Sequence, residues 1–141
     1  RNLFVADFIG DRNIMEVEVL EIGEVYSKVK LGSNIVNIRN LNHGQGPQEY
    51  NGTAILAIHM DKMRISCDEI SNSLLGEVLS IHYAGSQIRI ELNVDGKTIT
   101  VVEYQKNECD CEVGDKVYIT WEESGAILLP LEDSWEERGL A

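Results

Sequence analysis

Cys109-Asp-Cys111 is the only cluster of soft ligands in the chain. A C-x-C pair supplies two thiolates, whereas a structural zinc site needs four ligands and uses C-x₂₋₄-C spacing. Cys67 could be a third ligand and His43, His59 or His82 a fourth, yet no second spaced pair exists. Cys109 and Cys111 are therefore weak metal candidates, and the expectation is no metal. Gly85-Ser86 offers two backbone N–H groups and a hydroxyl, which can hold an oxyanion. A tight hairpin requires the same two residues for local reasons, so they are weak ligand candidates only. Ser, Cys and Lys occur in no nucleophile context such as G-x-S-x-G, and there is no G-x-x-x-x-G-K-[ST] phosphate loop. No intrinsic catalysis is expected.

The elements that carry these residues are short runs of alternating apolar and polar side chains cut by Gly-containing turns. Period two is the signature of half-buried strands. Strands are expected over 15–20, 25–31, 35–41, 54–59, 63–66, 75–83, 87–94, 97–103, 116–121 and 126–130. Ala54 to His59 is apolar throughout and suits a strand buried on both faces. A two-residue Asp95-Gly96 loop favours a type I′ turn, which pairs Val94 with Lys97, Leu92 with Ile99, Ile90 with Val101 and Ile88 with Glu103. That register places Leu92, Ile99, Ile90 and Val101 on one face. Nine or ten such strands predict an all-β fold, a barrel or sandwich.

Charge and length narrow the functions. The chain has 141 residues, 24 acidic against 12 basic, for a net charge of −12. Phosphate backbones and anionic lipid both select for cations, so nucleic acid and membrane surfaces are poor partners. No apolar run approaches the roughly 20 residues that span a bilayer, so no membrane insertion is expected. Leu3 to Ile9 is too short for a signal sequence and is broken by Asp7. Three cysteines fit a reducing compartment better than a disulfide scaffold. At the head, Val5, Phe8 and Ile9 fall at i, i+3 and i+4 before Gly10, a short amphipathic helix too small to stand alone. Its apolar face must rest on something. The opening Arg1, in place of Met, marks the chain as an expected piece of something longer.

Ser73-Leu-Leu-Gly-Glu-Val-Leu, Tyr83-Ala-Gly-Ser86, Val113-Gly-Asp-Lys-Val117 and Trp121 together resemble the TOBE domain that closes the ATP-binding subunits of bacterial ABC importers. Asn2-Leu-Phe-Val-Ala-Asp-Phe-Ile-Gly10 with Asn13 resembles the segment where the nucleotide-binding domain hands over to the regulatory domain. Leu56 to Ser66 resembles the family's strand and turn, with His59, Met60 and Asp61 where Arg-Pro-Glu is usual. The resemblance implies two small OB-like or MOP-like β-barrel lobes. It implies a handover segment over 1–12, a first lobe over 13–70, a TOBE lobe over 71–131 and a tail over 132–141. The subtype it is most similar to is the spermidine/putrescine importer, with ferric-iron, sulfate and sugar importers carrying similar domains. It further implies a regulatory and dimerisation role on the cytoplasmic face of the plasma membrane. A second copy and the transporter's membrane subunits would be the partners. ATP and Mg would belong to an upstream domain, leaving this fragment without a cofactor. An oxyanion-binding module of the molybdate type is the alternative, although its Ser-Ala-Arg-Asn-type motif is not found.

Overall fold

Asp95 and Gly96 both take positive φ, 50° and 90°, the combination that a type I′ turn requires. The hairpin around them pairs Val94 with Lys97, Leu92 with Ile99, Ile90 with Val101 and Ile88 with Glu103. Leu92, Ile99, Ile90 and Val101 are all buried on one face, as the alternation predicts. The computed structural model describes residues 11–40, 52–104 and 111–130. Ten strands lie among them: β1 (Arg12–Ile22), β2 (Tyr26–Leu31), β3 (Asn34–Arg39), β4 (Thr53–His59), β5 (Met63–Ser66), β6 (Leu74–Ala84), β7 (Gln87–Val94), β8 (Lys97–Glu103), β9 (Lys116–Trp121) and β10 (Ala126–Pro130).

The strands form two five-stranded antiparallel sheets, β10-β4-β1-β2-β3 and β5-β9-β6-β7-β8. Each contains one long strand of 11 residues, β1 or β6, followed by a hairpin. A register shift between Val19 and Glu21 in β1, and another between Val78 and Ser80 in β6, bends the long strand. Bending brings the sheet edges together, β3 toward β10 and β5 toward β8, as in small OB-like barrels. In the second sheet, the Ile65 N–H donates to Glu103 Oε2 at 3.2 Å, linking β5 to the edge of β8.

The sheets do not divide at residue 70. β5, in the stretch assigned to the first lobe, pairs with β9 in the second sheet; β10, assigned to the TOBE lobe, pairs with β4 in the first. Each barrel is thus a run of four consecutive strands plus one strand received from the other half. The physical reason lies at the 3₁₀ turns Met60–Lys62 and Glu123–Gly125, which carry the chain from β4 to β5 and from β9 to β10. The two crossings touch. The Glu122 N–H donates to the Lys62 carbonyl at 3.0 Å, and Lys62 Nζ lies 3.6 Å from Glu122 Oε1. A Cβ on Gly125 would stand 2.5 Å from Lys62 Cβ, so only glycine lets the connections pass this closely. One apolar core runs through both barrels, from Met15, Val29 and Leu56 to Leu74, Ile99 and Ile119.

Candidate functional site

Several side-chain hydrogen bonds among the described residues join one barrel to the other. Asn13, buried at the start of β1, acts as a substitute strand for β8. Its Nδ2 donates to the Thr100 carbonyl at 2.7 Å, and its Oδ1 accepts from the Thr100 N–H at 2.9 Å. Asn72, just before β6, does the same for the edge of β3. The Asn37 N–H donates to its Oδ1 at 2.6 Å, and its Nδ2 donates to the Asn37 carbonyl at 3.1 Å. A primary amide has the donor and acceptor spacing of a peptide group, so each asparagine satisfies one edge residue that the sheet leaves unpaired. The two clamps are equivalent under the exchange of the barrels, each reaching from the lead of one long strand to the other barrel's third strand.

Between the clamps, two hairpin turns face each other. The Asp95 carboxylate accepts from the Ser33 N–H at 3.0 Å, from the Ser33 hydroxyl at 3.2 Å and from Asn34 Nδ2 at 2.9 Å. Asn34 Oδ1 in turn accepts from the Leu75 N–H at 3.1 Å. Beside this contact lies a cavity of about 180 Å³, with Glu77, Asn93, Asp95 and Lys116 supplying its charge and hydrogen bonds. Carboxylate, amide and ammonium groups line it together. Ser33, its hydroxyl residue, is bonded to Asp95 and has no histidine or cysteine beside it in the cavity wall.

The residues singled out by type fall elsewhere. Gly85 (φ 63°) and Ser86 form the two-residue loop between β6 and β7. Both are exposed, and a Cβ on Gly85 would meet nothing within 4 Å. Glycine first with positive φ is what a type II′ turn demands, so the local requirement accounts for the pair. Cys109 lies outside the described residues, and Cys111 is partly buried against the core. Among the described residues, no group of three or more His, Cys, Asp or Glu is placed to hold a metal. Cys67 is disulfide-bonded, a link that the cysteine count does not anticipate. An odd count sets a thiol aside but says nothing about the distances between the rest.

His59 ends β4 with Nε2 3.6 Å from Asp11 Oδ2 and Nδ1 3.1 Å from Asp61 Oδ1. It thus lies between the start of β1 and the 3₁₀ crossing, its Nδ1 and Asp61 Oδ1 buried without a hydrogen bond, in the turn where the resemblance expects an arginine. His82 is exposed opposite Arg89, and His43 lies outside the described residues. Sequence reasoning missed the seam residues Asn13, Asn34, Asn72 and Asp95 as a group. Their only local signals are the turn chemistry of Asp95-Gly96 and the departure of Asn13 from the apolar inward positions of β1.

Residues 56–129, more than half of the chain, match the family described as "TOBE domain". The chain belongs to the TOBE domain family. Among curated proteins this TOBE chain is similar to the spermidine/putrescine import ATP-binding protein PotA of Haemophilus ducreyi, at 26% identity over 94% of the chain and 38% of that protein. The Fe(3+) ions import ATP-binding protein FbpC of Agrobacterium fabrum is 26% identical over 89% of the chain and 33% of its own length. PotA of Nostoc sp. is 28% identical over 89% of the chain and 34% of its own length. The chain thus spans about a third of the length of the curated relatives it matches. Among solved structures, the cytoplasmic molybdate-binding protein ModG, determined with molybdate bound, superposes with a TM-score of 0.69 at 18% identity. The likeness covers 87% of this chain and 99% of that one, and it shows the OB-like fold.

Proposed function

We propose that this TOBE chain is the regulatory and dimerisation module of the ATP-binding subunit of an ABC importer, most plainly one for polyamines. The observation that carries the reading is that almost the whole chain aligns with about a third of PotA and FbpC, proteins named as import ATP-binding subunits. On this reading, ATP and Mg act in an upstream domain, and the module itself performs no chemistry. Its partners are a second copy and the transporter's membrane subunits, at the cytoplasmic face of the plasma membrane. Among the described residues, no helix is long and apolar enough to cross a membrane. A rigid pair of barrels fused by one core suits the role, because a ligand or partner favouring one dimer arrangement would then bias transport.

Two measurements test it. Sedimentation of the chain across a concentration series is expected to show a reversible dimer, and a strict monomer at high micromolar concentration overturns the dimerisation role. Uptake of labelled spermidine in cells deprived of the gene that encodes this chain is expected to fall; unchanged uptake with lost ferric-iron or sulfate uptake reassigns the cargo. The second reading, an oxyanion-binding module, has the near-complete superposition with ModG in its favour. Calorimetric titration with molybdate and sulfate separates the two: heat from an oxyanion and none from polyamine would replace the first reading by the second.

A further inference from the structure

Cys67 is disulfide-bonded, and the chain has only two other cysteines, Cys109 and Cys111. Both follow β8 and precede β9. The bridge therefore joins the end of β5 to the β8–β9 connection, whichever of them is the partner. That join bears on how the second barrel closes. β5, only four residues long, pairs with β9 on one side. Among the described residues it forms no ladder with β8, the strand at the opposite end of the sheet. A side chain spans the gap: Glu103, buried at the end of β8, accepts from the Ile65 N–H at 3.2 Å. Cys67 adds a covalent tie two residues further along the same strand end. The counterpart strand in the first barrel, β10, has no cysteine in it or after it. Exposure decides what kind of bridge this is. Cys67 opens a run of exposed residues, 67–72, and exposed disulfides are the labile ones, open to attack by a thiolate.

We propose that the Cys67 bridge is a redox latch on the second barrel, opened by dithiols and closed by small disulfides. In opening, one thiolate of the dithiol attacks a sulfur of the bridge, forming a mixed disulfide. The other cysteine leaves as a thiolate and takes up a proton. The reductant's second thiol then displaces the mixed disulfide. The reductant ends as a disulfide, and the chain has gained two electrons and two protons as a pair of thiols. Closing is the reverse exchange, with oxidised glutathione as the acceptor and reduced glutathione as the product. Opening leaves β5 held by its β9 ladder and by Glu103, so its end loosens while the longer strands keep their pairs. The latch does not depend on what is transported. On the cytoplasmic location proposed above, closure becomes a response to oxidation, because a reducing compartment keeps such bridges open.

The test uses the full chain, first equilibrated with oxidised glutathione. Non-reducing peptide mapping is expected to find Cys67 joined to the peptide that holds Cys109 and Cys111. The native chain is then exposed to dithiothreitol without denaturant, and its thiols are trapped with iodoacetamide. It is expected to gain a pair of alkylated cysteines, to lose them again on return to oxidised glutathione, and to keep its sheet signal in circular dichroism throughout. Amide hydrogen exchange at Ile65 and Ser66 is expected to quicken several-fold on reduction. Cys67→Ser should show the faster exchange with or without dithiothreitol. Alkylation of all three cysteines after the oxidising step, glutathione held on Cys67 in place of the bridge, or a bridge between two chains would overturn the proposal. So would resistance to dithiothreitol until urea is added, or exchange at β5 indifferent to reduction.

Discussion

A side-chain amide at a barrel edge is worth more here than an apolar residue of the same size. Asn13 is 7% exposed and satisfies both backbone groups of Thr100. Asn13→Ala leaves that N–H and C=O without partners in a partly buried place, and is expected to cost about 2–4 kcal/mol in urea unfolding. Asn72→Gly removes the equivalent clamp at an exposed position where water substitutes and glycine keeps the positive φ of 57° without strain, so about 1 kcal/mol or less is expected. Equal losses would show that the two clamps are not graded by burial. A second contact makes a pH prediction. The Tyr26 hydroxyl donates to Glu123 Oε2, and this bond, followed by desolvation, raises the phenol above its ordinary 10.0. A raised pKa in the folded state means that the contact contributes fully below pH 10.0 and is lost as pH rises through the raised value. The near-ultraviolet absorbance titration of the native chain minus that of Tyr26→Phe is expected to have a midpoint above the ordinary value. Glu123→Ala should bring it back down.

At the scale of the element, the strands and the β7–β8 register were legible because period two and turn chemistry are local properties. The crossings were not. Met60–Lys62 and Glu123–Gly125 are three-residue turns with no distinctive composition, and nothing nearby in sequence says that each sends the next strand to the other barrel. Gly125 is the residue that records their closeness. Its Ala variant would bring a methyl within 2.5 Å of Lys62 Cβ, and the crossing must open to admit it. A loss of about 1–3 kcal/mol is expected, the usual cost of overpacking, measured by thermal or urea unfolding. Gly85→Ala should cost less, since positive φ is its only constraint and no atom lies within 4 Å of the added Cβ. If Gly125→Ala proved the milder of the two, the crossings would not be tightly packed.

Over the whole molecule, exchange of β5 and β10 and a continuous core make the two barrels one thermodynamic unit. Neither can unfold without removing a strand and part of the apolar interior from the other. Calorimetry is therefore expected to show a single transition with equal calorimetric and van't Hoff enthalpies. Two resolved transitions would contradict a shared core. The seam cavity and the opposed turns at Asp95 and Ser33 lie at this junction, so anything bound there reports on both barrels together.

Alternation and turn residues by themselves determined the fold class, the strand positions and the inward face of each strand. The ordered matches from Ser73 to Trp121 pointed to the family as well. These properties depend on neighbours in the chain, where side-chain direction and backbone φ are settled within a few residues. Which strand lies beside which was decided only in three dimensions. So were the asparagine clamps and the cavity at the seam. Each joins residues tens of positions apart, and hydrogen-bond satisfaction and burial select such partners from many that share the same local pattern.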